Sequence, residues 1–223
     1  MGSTHLRFSA EDRRAQIIET ATELFAGQGF EGTTTRQIAE AARVNEAIIF
    51  RHFPSKEDLY WAVIEHQGAL SKGKDQVEAQ LTSGGDVREV FTNLALDFLR
   101  RREQDDTLPR LLFFTALENH RLSSRFFQNH IVVFYETLAS YIREQISKGV
   151  FREVDPVMTA RCFFGMLIYH YMVQDLFGGK RFQKIELKTA VESIVDLFLN
   201  GMMSPQKCSA DGKPLTETNS DVR

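Results

Sequence analysis

The sequence predicts an all-α chain, a three-helix N-terminal unit followed by a larger helical one, and three observations carry that prediction. Apolar residues recur at helical spacing almost throughout, and no segment alternates at period two for long enough to argue a sheet. Ser, Thr, Asp and Asn stand ahead of these runs and Gly or Pro behind them, which is the punctuation of helix ends. Between Thr33 and Lys56 the chain reads TTTRQIAEAARVNEAIIFRHFPSK, two short capped helices joined by a tight turn.

A first helix is expected from Ser9 to Ala26, with Asp12 three residues after the cap and Ile17, Ile18, Ala21, Leu24 and Phe25 facing inward. Gly27 and Gly29 follow in positions suited to a left-handed backbone. The second helix opens at Thr34, with Gln37 placed to close a capping box and Ile38, Ala39 and Ala42 as its apolar face. After the break Arg43-Val44-Asn45, Asn45 caps a third helix that reaches about His52. The fourth opens at Ser55, carries Leu59, Tyr60, Val63 and Ile64 inward, and is expected to continue past Gly68.

Beyond it, Asp86 and Glu89 start a helix with Val90, Leu94 and Phe98 four apart. Leu108 to His120 is short and strongly apolar, with Pro109 in its first turn. Ser123 or Ser124 begins a long helix reaching Lys148 and stopped by Gly149, and Asp155-Pro156 supplies a cap and an N1 proline for the next. Gln183 to Met202 is the last helix, and the Ser-, Pro- and Lys-rich residues 204–223 are expected to form a mobile tail. The domain expectation is therefore 1–66, 67–203 and a tail.

Composition narrows the function classes. The chain has 223 residues, 43% of them hydrophobic, ample for a packed core. No run of 18 apolar residues is long enough to span a membrane, and Met1 to His5 lacks the apolar stretch of a signal peptide. Cys162 and Cys208 stand far apart in no metal-ligand spacing, and Cys162, in an apolar run, reads as a small buried hydrophobe. A cytoplasmic protein without metal or cofactor is expected. The net charge is −3, and residues 1–66 alone hold seven Lys/Arg against ten Asp/Glu. Bulk attraction to nucleic acid is thereby excluded, so any DNA affinity rests on a few aimed cations and helix N-termini.

By spacing alone, the two short helices are either core helices of a bundle or a helix-turn-helix that enters a DNA major groove. The surrounding residues add to this. Gly29-Phe30 follows the first helix, Thr34 caps the second, and Ile38-Ala39, Val44, Phe50-Arg51-His52-Phe53 and Ser55-Lys56-Glu57-Asp58-Leu59 follow in order. In these residues the first third of the chain resembles the DNA-binding domain of the TetR family of bacterial transcription regulators. The resemblance implies that Asn45, Glu46, Ala47, Phe50, Arg51 and His52 lie on or near DNA. It adds Arg36 and the flanking Thr34 and Thr35 as contacts, with Lys56 as a phosphate anchor. Arg36 can pair with guanine and Glu46 can accept from a cytosine amino group, or either can serve only solvation. Arg43 stands where the family usually has glycine, Phe50 where it has tyrosine, and Ile48-Ile49 where it has Thr-Leu. A left-handed backbone at Arg43 would cost about 1–2 kcal/mol, and a guanidinium reaching a phosphate would explain its retention.

Two later helices say more than core. Val157 to Phe177 is apolar nearly all round, and the last helix carries a broad stripe. The resemblance implies dimerisation through these two helices, with Phe163, Leu167, Val191, Ile194, Val195 and Phe198 at the interface; a monomer core is the alternative. Thirteen of the 18 phenylalanines fall after residue 66, densest at Phe113, Phe114, Phe126, Phe127, Phe134, Phe163 and Phe164. They form either a Phe-rich core or an apolar ligand pocket. For a pocket the candidates are Phe113, Phe114, Leu117, Phe134, Phe164, Ile168, Tyr171 and Met172, with Tyr135, Tyr141, Tyr169, His170, Asn119 and His120 as further polar anchors.

The chain has no GxSxG, HExxH, CxxC or phosphate loop, which argues against an enzyme. The expected partners are palindromic double-stranded DNA, a second copy of the chain and a small hydrophobic or aromatic effector, with no membrane. A helical interaction protein that has lost DNA binding is the rival reading, kept open by the acidic first domain.

Overall fold

The computed structural model describes residues 9–67, 69–82, 84–118 and 121–203, and within them every regular element is helical. The order is α1 (Ala10–Gln28), α2 (Thr35–Ala41), α3 (Glu46–His52), α4 (Lys56–His66), α5 (Ala69–Thr82), α6 (Val87–Gln104), α7 (Thr107–Leu117), α8 (Arg121–Phe126), α9 (Val132–Ser147), α10 (Pro156–Tyr171) and α11 (Leu187–Met202). Two single π turns, Phe127–Ile131 and Met172–Leu176, extend α8 into α9 and prolong α10. The tail from residue 204, Gly68, Asn119, His120 and Cys208 lie outside the described residues.

The caps form as their residue types dictate. Ser9 and Asp12 close a capping box on α1, Thr34 and Gln37 on α2, and Asn45, Ser55, Asp86 and Asp155 accept from the first turns of α3, α4, α6 and α10. Gly29 ends α1 at φ 77° and Gly149 follows α9 at φ 68°, both in the left-handed region. Gly27 is not at a helix end as expected: α1 runs through it to Gln28.

Other boundaries also move. The fourth helix stops at His66, where the Gln67 N–H meets the Val63 carbonyl; the expected continuation past Gly68 falls on a residue outside those described. The long helix begins at Arg121 rather than at Ser123 or Ser124. The last begins at Leu187, because a 3₁₀ turn at Gly179–Arg181 and extended backbone at Glu186 occupy the preceding stretch.

The apolar side chains form two cores. One gathers Ile17, Ile18, Phe25, Phe30, Ile38, Ile49, Phe53 and the inner face of α4, and it extends to Leu108 and Leu111 of α7 and Leu122 and Phe126 of α8. The core of the N-terminal helices therefore does not close at residue 66. The other is built around Phe91, whose ring meets Phe163 and Phe198 at centroid distances of 4.9 Å each. Each such fully buried side chain contributes about 1.5–3 kcal/mol.

This second core corrects the expected dimer interface. Phe163, Leu167, Val191, Val195 and Phe198 are all buried within the subunit itself, against α6 and α9. A side chain already removed from water has no surface left for a partner; of the six, only Ile194 stays half-buried. The faces of α10 and α11 that remain in solvent are the opposite ones, with Met158 55%, Tyr169 68% and Leu197 71% exposed. Cys162 lies on that outer face of α10 and is exposed, not buried as its apolar neighbours led one to expect.

Candidate DNA interface and ligand cavity

The helix-turn-helix is held by its inward residues and leaves a short row of side chains outside. Ile49 of α3 is 1% exposed and anchors the helix, while Val44 and Ile48 pack against the same core. Ala47, Phe50 and Arg51 are exposed and His52 is half-buried. Phe50, at 46% exposure, offers an apolar ring where a phenol would offer a hydroxyl. Asn45 is committed to its cap, accepting from the Ala47 N–H at 2.8 Å.

The charged candidates divide into engaged and free. Arg36 pairs with Glu40 at 2.9 Å on the outer face of α2, an exposed i,i+4 pair that is easily opened. Glu46, half-buried, accepts a hydrogen bond from the Thr35 hydroxyl, tying the start of α3 to the start of α2. The Thr34 hydroxyl is held in its capping box with Gln37. The Lys56 ammonium lies 4.1 Å over the Phe30 ring. Arg43 and Arg51 are exposed and pair with no carboxylate among the described residues. Arg43 has φ 53°, the one left-handed non-glycine residue among those described.

A cavity of about 610 Å³ opens between α4, α5, α6, α7, the α8–α9 run and α10. Phe113, Phe134, Phe164, Ile168 and Tyr171, all expected, line it, and so does Tyr135. Three expected lining residues lie elsewhere. Leu117 is 84% exposed. Phe114, one position round α7 from Phe113, faces Gly29 of α1. Met172, just past the end of α10, packs into the Phe91 core. Among the expected anchors, Tyr141 is in that core, Tyr169 is exposed, and His170 faces a separate small depression with Asp175 and Lys180.

The sequence reading missed the floor and one wall of the cavity. Tyr60, Trp61 and Ile64 come from α4, the helix that follows the reading helix, and Asp97, Phe98, Arg101 and Arg102 from α6. Five successive apolar residues at 60–64 would have shown that α4 buries more than one face. The first π turn borders the cavity and places Phe127, Gln128 and Ile131 on its wall.

α7 stands between the cavity and the N-terminal helices. Its inner face gives Pro109, Leu112, Phe113 and Thr115 to the cavity. Its other face donates the Arg110 Nε–H to the Ala26 carbonyl at 2.9 Å and accepts the Glu31 N–H on the Glu118 carboxylate at 3.2 Å. The Tyr60 hydroxyl meets both the Leu111 carbonyl, at 2.7 Å, and the Thr115 hydroxyl.

Comparison with known proteins agrees with this geometry. Residues 17–63 match the profile of bacterial regulatory proteins of the tetR family, and residues 89–201, about half of the chain, match the C-terminal domain of AefR-like transcriptional repressors. The chain belongs to the TetR family. It is 25% identical over 195 residues to the transcriptional regulator YvkB of Bacillus subtilis, covering 84% of this chain and 95% of that one. To the transcriptional repressor Rv3405c of Mycobacterium tuberculosis it is 32% identical over 130 residues, 48% of this chain and 69% of that one. Its fold matches the regulator FadR of Bacillus subtilis, solved with stearoyl-CoA, with a TM-score of 0.68 at 18% identity over 84% of this chain and 98% of that one.

This TetR-family chain is thus a helix-turn-helix transcription regulator and not an enzyme. Among its described residues no helix is long and apolar enough to cross a membrane.

Proposed function

We propose that the protein represses transcription as a homodimer, setting α3 of each subunit into successive major grooves of a palindromic operator and leaving it when a largely apolar small molecule fills the cavity. One observation carries this reading: α4 and α7 each have one face in the cavity and another against the core that holds the reading helix. A ligand that prefers one placement of these helices shifts DNA affinity by that preference and no more.

Arg43 and Arg51 supply the free cations on the DNA side, with Arg36 available once it leaves Glu40 and Lys56 beside the start of α4. Arg36, Glu46, Ala47 and Phe50 are the side chains offered to base edges. The dimer forms through the exposed stripe of α10, with Met158, Cys162, Gly165 and Tyr169, against Ser193, Leu197 and Gly201 of α11. Two-fold symmetry in the protein then demands it in the DNA.

Fluorescence anisotropy of the full-length protein on duplexes tiled across the DNA upstream of its own gene tests the reading. A palindrome bound at about 10⁻⁸ M or tighter, with affinity falling steeply from 50 to 200 mM salt, is expected. If no duplex is bound more than about tenfold tighter than unrelated DNA, the repressor reading fails and the helical interaction protein takes its place.

A further inference from the structure

One polar group in the cavity wall lacks the partner that its burial demands, and a half-buried cation lines the same cavity. Tyr171 is 2% exposed, and its hydroxyl is buried with no hydrogen-bond partner. Arg102, half-buried on α6, pairs with no carboxylate among the described residues. Both line the same cavity.

The acids around Arg102 are already engaged. Asp105 accepts the Thr107 N–H at 2.9 Å, Asp106 stands 4.0 Å from Arg110, and Glu103 and Asp175 hold Lys180 at 3.1 and 2.7 Å. The Arg102 guanidinium carbon sits 4.7 Å over the Phe98 ring, which orients the fork at the cavity edge. Burial, above all, holds this guanidinium below its ordinary range; Arg101 lowers it further, while Tyr171 and Asp105 pull it up.

We propose that the cavity takes a carboxylic acid with an apolar body, its carboxylate held by the Arg102 guanidinium and the Tyr171 hydroxyl. This rests on the ligand reading above and assigns that ligand its chemistry. The charged side chains of the wall are Arg101, Arg102 and Asp97, and Asp97 accepts a hydrogen bond from the Gln80 amide. The balance is one positive charge, which a monoanion neutralises. A planar fork and a hydroxyl donor together match the two oxygens of a carboxylate. A cationic occupant, or one without an acceptor, leaves the buried Tyr171 hydroxyl unanswered, and a neutral acceptor gives Arg102 only a weaker, uncharged partner. The rest of the wall, including Phe98, Phe113, Phe134 and Phe164, suits the apolar body.

Trp61 is the only tryptophan of the chain and lines the cavity, so its fluorescence reports occupancy in the full-length protein. The probes are dodecanoate, dodecan-1-ol and dodecylammonium at one chain length. Dodecanoate is expected to bind about ten- to a hundredfold tighter than the alcohol, the worth of charge-assisted hydrogen bonds, and the ammonium weakest. Arg102→Met should abolish that preference and Tyr171→Phe should reduce it. Alcohol binding should persist in both, which also certifies that the variants fold. Equal binding of acid and alcohol, or a preference that survives Arg102→Met, overturns the carboxylate assignment and leaves the cavity as a ligand site. If none of the three probes binds, by fluorescence or calorimetry, the ligand reading falls and this inference with it.

Discussion

The Tyr60 hydroxyl of α4 donates to the Leu111 carbonyl of α7 at 2.7 Å, and it does so in the wall shared by the ligand cavity and the core of the DNA-binding helices. Its ring meets Phe25 and Phe30 edge-on at 4.9 and 5.3 Å, so one side chain touches α1, the turn after it and α7. Any movement of α7 on ligand entry is felt at this residue.

Tyr60→Phe should lower stability by about 1–3 kcal/mol in urea or guanidinium unfolding, since the Thr115 hydroxyl loses its neighbour and the carbonyl one donor. The pH dependence has a definite sign. Burial pushes Tyr60 up from 10.0 to about 12, and Tyr171 likewise, so both are held neutral in the folded state. A raised pKa contributes stability that is complete below pH 10 and is lost as pH climbs toward 12. Unfolding midpoints across that window should fall less steeply for Tyr60→Phe than for the unaltered protein. Equal slopes would show that the phenol titrates in the fold as it does in the unfolded chain.

Gly29→Ala should destabilise more than an ordinary helix-end substitution. The backbone there has φ 77°, and an added Cβ would stand 2.4 Å from the Glu118 Oε1 and 2.9 Å from the Phe114 ring. The strained backbone costs about 1 kcal/mol or more, and the Glu118 carboxylate and the Phe114 ring must also shift. Thermal melting of Gly29→Ala, alone and with Phe114→Ala, separates the two contributions. The double variant should recover part of the loss if contact with α7 matters.

Arg43→Gly should raise stability by about 1–2 kcal/mol, because glycine takes the observed φ of 53° without strain. Operator binding should weaken and the slope of log affinity against log salt should flatten by about one, the signature of a lost phosphate contact. Unchanged binding would remove Arg43 from the DNA contacts.

Leu197→Glu places a charge on the exposed stripe of α11 and should convert the proposed dimer to monomer in sedimentation experiments, leaving helix content unchanged. Operator affinity should fall with it. A Val195→Ala variant, altered at a position 1% exposed within the subunit, should instead lose stability with the dimer intact. The reverse pattern would return the interface to the inner face.

Much of the fold was legible because it is local. Caps, capping boxes and helix starts depend on residues three or four apart, and Ser9, Thr34, Asn45, Ser55, Asp86 and Asp155 each act as their side chains dictate. The left-handed backbone at Arg43 was foreseeable from the position it shares with the family's glycine. The faces of the later helices were not legible. A helix apolar on all sides has no periodicity to say which side meets its own subunit, so Phe163, Leu167 and Val195 were given to a partner and are in fact core.

What the sequence by itself determined is therefore the set of helices, the helix-turn-helix and the family, all written in short-range spacing and chemistry. Only the tertiary structure decided which side chains share the cavity. It set Tyr60 and Trp61 of α4, Arg102 of α6 and Tyr171 of α10 round one cavity, and it sent Phe114 away from Phe113 toward Gly29. Those neighbours are far apart along the chain or separated by one step of 100° round a helix. Packing between helices assigns them, and no local pattern encodes it.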